Sequence, residues 1–239
     1  MYILLTGGAK GLGSAIVRRL AQNTNDQIFF TYASSLTAAQ KITTEFPNTT
    51  AIHCDFAKVS SINDLVSKLS TLNINVLINN AYSSFQKEHF YKADPERYLK
   101  SFELNVLPVI KITQGAIKEF RKVKSGKIIN VISSSVLNTP TIGWSDYVAN
   151  KNYLLSLSKS WATENIRFNI TSNCISPGFM RTDFTSDTDE RIIEQMIQAH
   201  PLKRLLTVEE VAEAISFLAK CTYHINGINL VLNAGETIL

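Results

Sequence analysis

Short apolar runs alternate with longer stretches of helical period along almost the whole chain. Runs rich in β-branched and aromatic residues read as strands at Tyr2–Thr6, Gln27–Tyr32, Thr50–Asp55, Val76–Asn79, Lys127–Ile132, Asn169–Ser176 and Asn229–Leu232. Between the first two, Leu12, Ala15, Ile16 and Leu20 recur at helical spacing, with Arg19 at the edge of the apolar face. The same period predicts helices over Thr37–Glu45, Ser61–Ser70, Pro95–Phe120 with a bend at Pro108, Asp146–Thr163 and Val208–Leu218. Apolar strands separated by amphipathic helices call for a parallel sheet covered on both faces. The expected architecture is one α/β domain spanning residues 1–239, a doubly wound parallel sheet of about seven strands. The polar, charged segment Asp183–Arg204 interrupts the alternation and reads as a lid or substrate loop.

Composition narrows the class. Hydrophobic residues are 45% and charged residues 18% of 239, enough apolar material for a large core and too little charge for a disordered chain. Met1-Tyr2-Ile3-Leu4-Leu5 is too short an apolar start for a secretion signal or a membrane span, so a cytoplasmic location is expected. Cys54, Cys174 and Cys221 show no C-x-x-C spacing, and His53, His89, His200 and His224 have no metal-ligand pattern; neither disulfides nor a metal site is indicated. The net charge is +4, and its one basic cluster, Lys118, Arg121, Lys122, Lys124 and Lys127, falls where a predicted helix ends. Cations there complement the helix dipole, and no aromatic residues interleave to stack on bases, so nucleic acid is not an expected partner.

Candidate chemistry begins at Thr6-Gly7-Gly8-Ala9-Lys10-Gly11-Leu12-Gly13, directly after the first strand and opening the first helix. Glycines there allow a tight turn and let backbone N–H groups approach a pyrophosphate, which the positive end of the helix dipole also favours. The spacing is T-G-x-x-x-G-x-G, and further pieces follow in order: Asp55 and Phe56 after the third strand, Asn79-Asn80-Ala81 after the fourth, Asn105 in a helix, serines after the fifth strand, Tyr147-x-x-x-Lys151, and Pro177-Gly178 followed by Thr182. Over essentially its whole length the chain resembles the short-chain dehydrogenases/reductases, most of all the 3-oxoacyl-(acyl-carrier-protein) reductases among them.

The resemblance implies a Rossmann fold and an oxidoreductase that moves hydride between a nicotinamide dinucleotide and a small-molecule carbonyl or alcohol, a 3-oxoacyl thioester being one candidate. It assigns Gly7, Gly11, Leu12 and Gly13 to the pyrophosphate turn, Asp55 to the adenine, Asn80 and Ala81 to the cofactor wall, and Pro177, Gly178 and Thr182 to the nicotinamide end. The end of the second strand, Thr31-Tyr32-Ala33-Ser34-Ser35, carries no carboxylate to meet a free ribose 2′-hydroxyl, while Lys10 offers a cation to a 2′-phosphate, with Ser34 or Ser35 as further donors. NADP(H) is therefore the expected cofactor.

Tyr147 and Lys151, four apart on a helix, project from one face. A free tyrosine has a pKa near ~10; a neighbouring ammonium stabilises the phenolate and lowers it. By the resemblance Tyr147 is the proton donor, Lys151 also holds the nicotinamide ribose, a serine binds the substrate oxygen, and Asn105 holds a water that links Lys151 to solvent. Counting back thirteen residues from Tyr147, the family interval, selects Ser134, and counting forward along the fifth strand selects Ser133 instead; Ser134 is the expected catalytic serine. Asn138-Thr139-Pro140-Thr141 and Gly143-Trp144 are expected to shape the substrate side.

Two departures stand out: Tyr82 where the family has glycine after Asn-Asn-Ala, which reshapes that loop or sends a ring into the cleft, and Asn233-Ala234-Gly235 in place of a frequent Asp-Gly-Gly. Relatives pair as homodimers or homotetramers through long helices, and Leu154, Leu155, Ser158 and Trp161 would belong to such a face unless they are buried within one subunit. The competing reading is a non-catalytic NADP(H)-binding sensor or scaffold, which would need no proton donor.

Overall fold

The seven apolar runs become seven strands in a computed structural model that describes residues 1–83, 87–137 and 139–236. They are β1 Tyr2–Leu5, β2 Gln27–Tyr32, β3 Thr49–His53, β4 Val76–Asn79, β5 Gly126–Val131, β6 Ile170–Pro177 and β7 Asn229–Leu232. All neighbours pair parallel, in the order β3-β2-β1-β4-β5-β6-β7. Parallel neighbours need crossovers, and helices supply them: α1 Gly11–Ala21, α2 Leu36–Glu45, α3 Val59–Leu72, α4 Pro95–Asn105, α5 Leu107–Val123, α6 Ser145–Asn165, α7 Glu190–Ala199 and α8 Val208–Lys220.

Alternation along the strands divides the core in two. Ile3 and Leu5 of β1, with Ile28 and Phe30 of β2, pack under α1, α2 and α8, where Ile16, Ile42 and Ile215 are buried. Leu4 points the other way, with Leu77 of β4, into Leu65 of α3, Ile112 and Phe120 of α5 and Leu154 of α6. The strand order reverses between β1 and β4, and such a switch point opens a crevice at the carboxyl ends of the strands.

Two expectations change, and one open alternative is decided. The helix predicted over 95–120 breaks at Val106 (φ −109°, ψ −50°) into α4 and α5. Pro108 has no N–H for the carbonyl of Leu104, and its ring crowds that carbonyl, so the break precedes the proline. The segment 183–204 is not simply a loop: it holds a 3-10 turn, Asp183–Thr185, and α7, whose N-cap Asp189 accepts from the Arg191 N–H. Finally, Leu154, Ser158 and Trp161 are buried within the subunit, and Leu155 is half-buried. Burial within one subunit, the alternative weighed from the sequence, accounts for Leu154, Ser158 and Trp161.

Candidate active site

The turn after β1 requires its glycines. Gly7 and Gly11 sit at φ +70° and +49°, the left-handed region, and a Cβ on Gly13 would lie 1.9 Å from the carbonyl oxygen of Gly7. Helix α1 starts with no side-chain cap and no acid in its first turn, which leaves its first N–H groups to an outside acceptor. The β4 loop is tied to this turn: the backbone N–H groups of Asn80 and Ala81 donate to Thr6 Oγ1 at 3.0 and 3.1 Å, and Asn80 Nδ2 donates to the carbonyls of Thr6 and Gly7 at 3.1 and 3.0 Å. Here Asn80 shapes the cradle.

Gly7, Lys10, Gly11, Leu12 and Gly13 line one end of a cleft of about 970 Å³. Asp55 and Phe56, Asn80 and Ala81, then Pro177, Gly178 and Thr182 join the same wall. Asp55 also makes a turn, Oδ1 accepting from the Ala57 N–H at 3.0 Å, so its structural and lining roles coexist. Thr182 stands over Gly11, 3.6 Å from where a Cβ would be. At the end of β2, Thr31, Tyr32 and Ala33 reach the cleft and bring no carboxylate. Lys10 is 59% exposed, its Nζ 3.8 Å from Asp183 Oδ2. Ser34 is exposed and stands outside the cleft wall. A backbone cradle that a Cβ would close, with uncapped helix N–H groups above it, suits a dinucleotide pyrophosphate.

At the other end Tyr147 and Lys151 are 7% and 4% exposed, one helical turn apart on α6. Lys151 Nζ donates to the Val131 carbonyl at 2.8 Å and lies 5.8 Å from the Tyr147 ring centroid. The serine that acts on the phenol, favouring its ionised form, is Ser133, whose Oγ also sits 2.8 Å from Ser135 Oγ and accepts from the Ser135 N–H at 3.2 Å. Ser134 opens a 3-10 turn and contributes to the wall beside it. The thirteen-residue interval thus lands one position past the serine that meets Tyr147, because the chain turns immediately after β5.

Burial sets the protonation states. It pushes the Tyr147 phenol up to about 12, against the hydrogen bond from Ser133, and pulls the Lys151 ammonium down to about 7. The lowering of the phenol expected from its neighbour is not found: the phenol is raised. Desolvation outweighs a cation whose Nζ is turned to a backbone carbonyl. Asn105 is buried and outside the cleft wall. Its Oδ1 accepts from the N–H and hydroxyl of Ser83 at 2.7 and 2.9 Å and its Nδ2 donates to the Ser101 carbonyl at 3.0 Å, so its side chain is committed to holding the β4 loop.

Other wall residues had weaker sequence signals. Tyr82 from the β4 loop, Trp144 before α6 and Phe184 from the 3-10 turn bring their rings to within 5.0, 5.4 and 5.9 Å of Tyr147. Phe184 and the α7 residues Ile192 and Met196 come from the segment read as a loop, although Ile192, Ile193, Met196 and Ile197 carry a helical period. His200, given no role from sequence, also reaches the wall. Thr139, Thr141 and Trp144 line the cleft wall; Asn138 lies outside the described residues. An ion pair, Arg97 with the buried Asp146 at 2.9 Å, fixes the start of α6 against α4 just before Tyr147.

Comparison with known proteins gives a consistent picture. The family model described as enoyl-(acyl carrier protein) reductase matches residues 7–237. Carbonyl reductase family member 4 of Xenopus laevis is 34% identical over 96% of this chain and 94% of its own length. A 3-oxoacyl-[acyl-carrier-protein] reductase of Rickettsia typhi is 30% identical over 97% and 95%. The crystal structure of 3-ketoacyl-(acyl-carrier-protein) reductase from Brucella melitensis complexed with NADH superposes with a TM-score of 0.89, covering 99% of this chain and 98% of that one at 22% identity.

Proposed function

The chain belongs to the short-chain dehydrogenase/reductase family, and from that premise we propose an NADP(H)-dependent oxidoreductase that exchanges hydride with a carbonyl or alcohol. The observation that carries this reading is that Tyr147, Lys151 and Ser133 meet in the same cleft as the glycine turn.

When bound, the dinucleotide supplies or accepts the hydride. The glycine turn and the first N–H groups of α1 would hold its pyrophosphate, and Pro177, Gly178 and Thr182 its nicotinamide end. Ser133 donates to the substrate carbonyl oxygen while Tyr147 delivers a proton to it as the alcohol forms. Burial favours the protonated phenol at neutral pH, so the proton that the reduction needs is in place on Tyr147. Charged Lys151 stabilises the phenolate left behind. Two features support a 2′-phosphate: the end of β2 presents no carboxylate to repel it, and Lys10 stands at the rim.

Apolar side chains at the far end of the cleft, Ile142, Trp144, Phe184, Ile192 and Met196, favour a ketone with apolar substituents, the 3-oxoacyl thioester among them. The 3-10 turn and α7 act as its lid. Lys87 Nζ joins Asp187 Oδ1 at 3.0 Å across the cleft mouth, which closes that lid on the β4 loop. Among the described residues no helix is long and apolar enough to cross a membrane; we place the enzyme in the cytoplasm, working as a homodimer or homotetramer.

The test is NADPH absorbance with a panel of ketones. Ketone-dependent oxidation of NADPH is expected, and Tyr147→Phe should cut kcat by at least about 100-fold, the scale of general acid catalysis, with NADPH affinity nearly unchanged. Tight NADPH binding without turnover on any ketone would instead favour a sensor.

A further inference from the structure

Lys151 sits in an unusual setting for an ammonium group. Among the described residues no carboxylate lies within ion-pair distance of it, and its hydrogen bond goes to the Val131 carbonyl. What covers the ammonium is the ring of Tyr82, whose centroid lies 4.7 Å from Nζ. A cation over an aromatic face is attracted by the ring quadrupole, the more so away from water.

That ring is held by several contacts. Its hydroxyl accepts from Asn150 Nδ2 at 3.3 Å and is hydrogen-bonded to the Ser101 side chain, while Asn150 Nδ2 donates to Ser101 Oγ at 2.9 Å. Its plane meets Tyr147 at 73°, with centroids 5.0 Å apart, and Phe184 at 87° and 6.0 Å. The backbone on either side is pinned too, through Ala81 N–H to Thr6 Oγ1 and Ser83 N–H to Asn105 Oδ1. A mobile loop residue would not need such a frame.

We propose that Tyr82 is a positioning residue, a fixed aromatic shutter that closes the solvent side of Lys151 and holds the ammonium against Tyr147. A glycine at this place would leave that side open to water. Tyr82 keeps its proton, because burial holds its phenol well above the usual tyrosine range, and its hydroxyl is turned to Asn150. Other titratable groups around Lys151 do not replace it. Tyr147 is on the same helix, Asp146 is neutralised by Arg97 of α4, and the Cys174 thiol of β6 is pushed up to about 11 by burial and stays neutral. With desolvation the largest influence on Lys151, removing the ring lets water in and returns the ammonium toward its ordinary pKa.

The catalytic consequence rests on the oxidoreductase reading, but the shutter can be tested without it. Trace acetic anhydride is applied to the cofactor-free protein across pH 6 to 10, and acetylation at each lysine is read by peptide mass spectrometry. In the wild type Lys151 should label at least about tenfold more slowly than exposed Lys41 or Lys118; labelling at their rate overturns the proposal whatever the variants do. Tyr82→Ala should raise Lys151 labelling about tenfold at pH 9, and Tyr82→Phe, which keeps the ring, should stay within about threefold of wild type. In turnover, the alkaline limb of kcat/KM for NADPH should move up by about one pH unit in Tyr82→Ala and stay in place in Tyr82→Phe. If a folded Tyr82→Ala protein, with wild-type circular dichroism, leaves Lys151 as protected as before, the shutter is wrong. If labelling rises but no ketone is reduced by the wild type, the shutter stands and the catalytic reading falls.

Discussion

A phenol raised to about 12 by burial holds its proton throughout the neutral range, as the acid role proposed for Tyr147 requires, and in that proposal the serine hydroxyl beside it fixes where a carbonyl oxygen sits. Ser133 is the serine that acts on the phenol, and Ser134 opens the 3-10 turn beside it. Ser133→Ala should therefore lower kcat about 100-fold, the cost of losing one donor to a developing oxyanion, while Ser134→Ala should stay within about threefold; comparable losses in both would return the assignment to Ser134. Selectivity for phosphate belongs to this scale as well. Lys10 is largely exposed and shares its charge with Asp183, so solvent screening keeps its contribution modest. Lys10→Ala should reduce the NADPH-to-NADH ratio of kcat/KM by about tenfold, and an unchanged ratio would take Lys10 out of the phosphate site. Sequence spacing had identified Tyr147 and Lys151 because one helical turn places both on one face. It could not choose between consecutive serines, because the turn after β5 decides which hydroxyl points at the ring.

The working elements are the β1–α1 turn and the helices that carry the donor pair. The Gly13 Cα lies so close to the Gly7 carbonyl that a methyl group there would need the turn to open. Gly13→Ala should cost about 1–3 kcal/mol of stability, as overpacking does, and weaken NADPH binding more than tenfold. A thermal melt and a fluorescence titration measure the two effects; wild-type affinity in the variant would mean that the cradle is not the pyrophosphate site. The strands and most helices were legible because their hydrophobic period is local. Two elements were not. Pro108 marked a perturbation of the long helix, but the break appears upstream, where the missing N–H and the ring act on the preceding turn. Helix α7 was hidden by the charges around it, although its apolar residues repeat at helical spacing and Ile193 is buried.

At the scale of the whole molecule, one sheet brings together residues from its entire length: the turn after β1, the loops after β4 and β5, and the segment after β6 converge where the strand order reverses. The surface that remains is informative for assembly. With Trp161 and Leu154 used in the core, the exposed large apolar residues on α4 and α6 are Leu99 and Tyr153, and the Tyr153 ring meets that of the half-buried Phe102 at 86°. Light scattering after gel filtration should give the mass of two or four chains, and Tyr153→Glu should shift it toward one, since a charge at a shared apolar face disfavours pairing. A wild-type monomer would remove the oligomer from the reading.

By itself the sequence determined the parallel sheet, the glycine cradle and the Tyr147–Lys151 pair, because periodicity, turn chemistry and one-turn spacing are short-range properties of the chain. Tertiary structure alone decided that Ser133 faces the phenol, that Asn105 holds a loop, and that Tyr82 covers Lys151. Those outcomes depend on burial and on contacts between segments far apart in sequence, which set each group's orientation and its solvation.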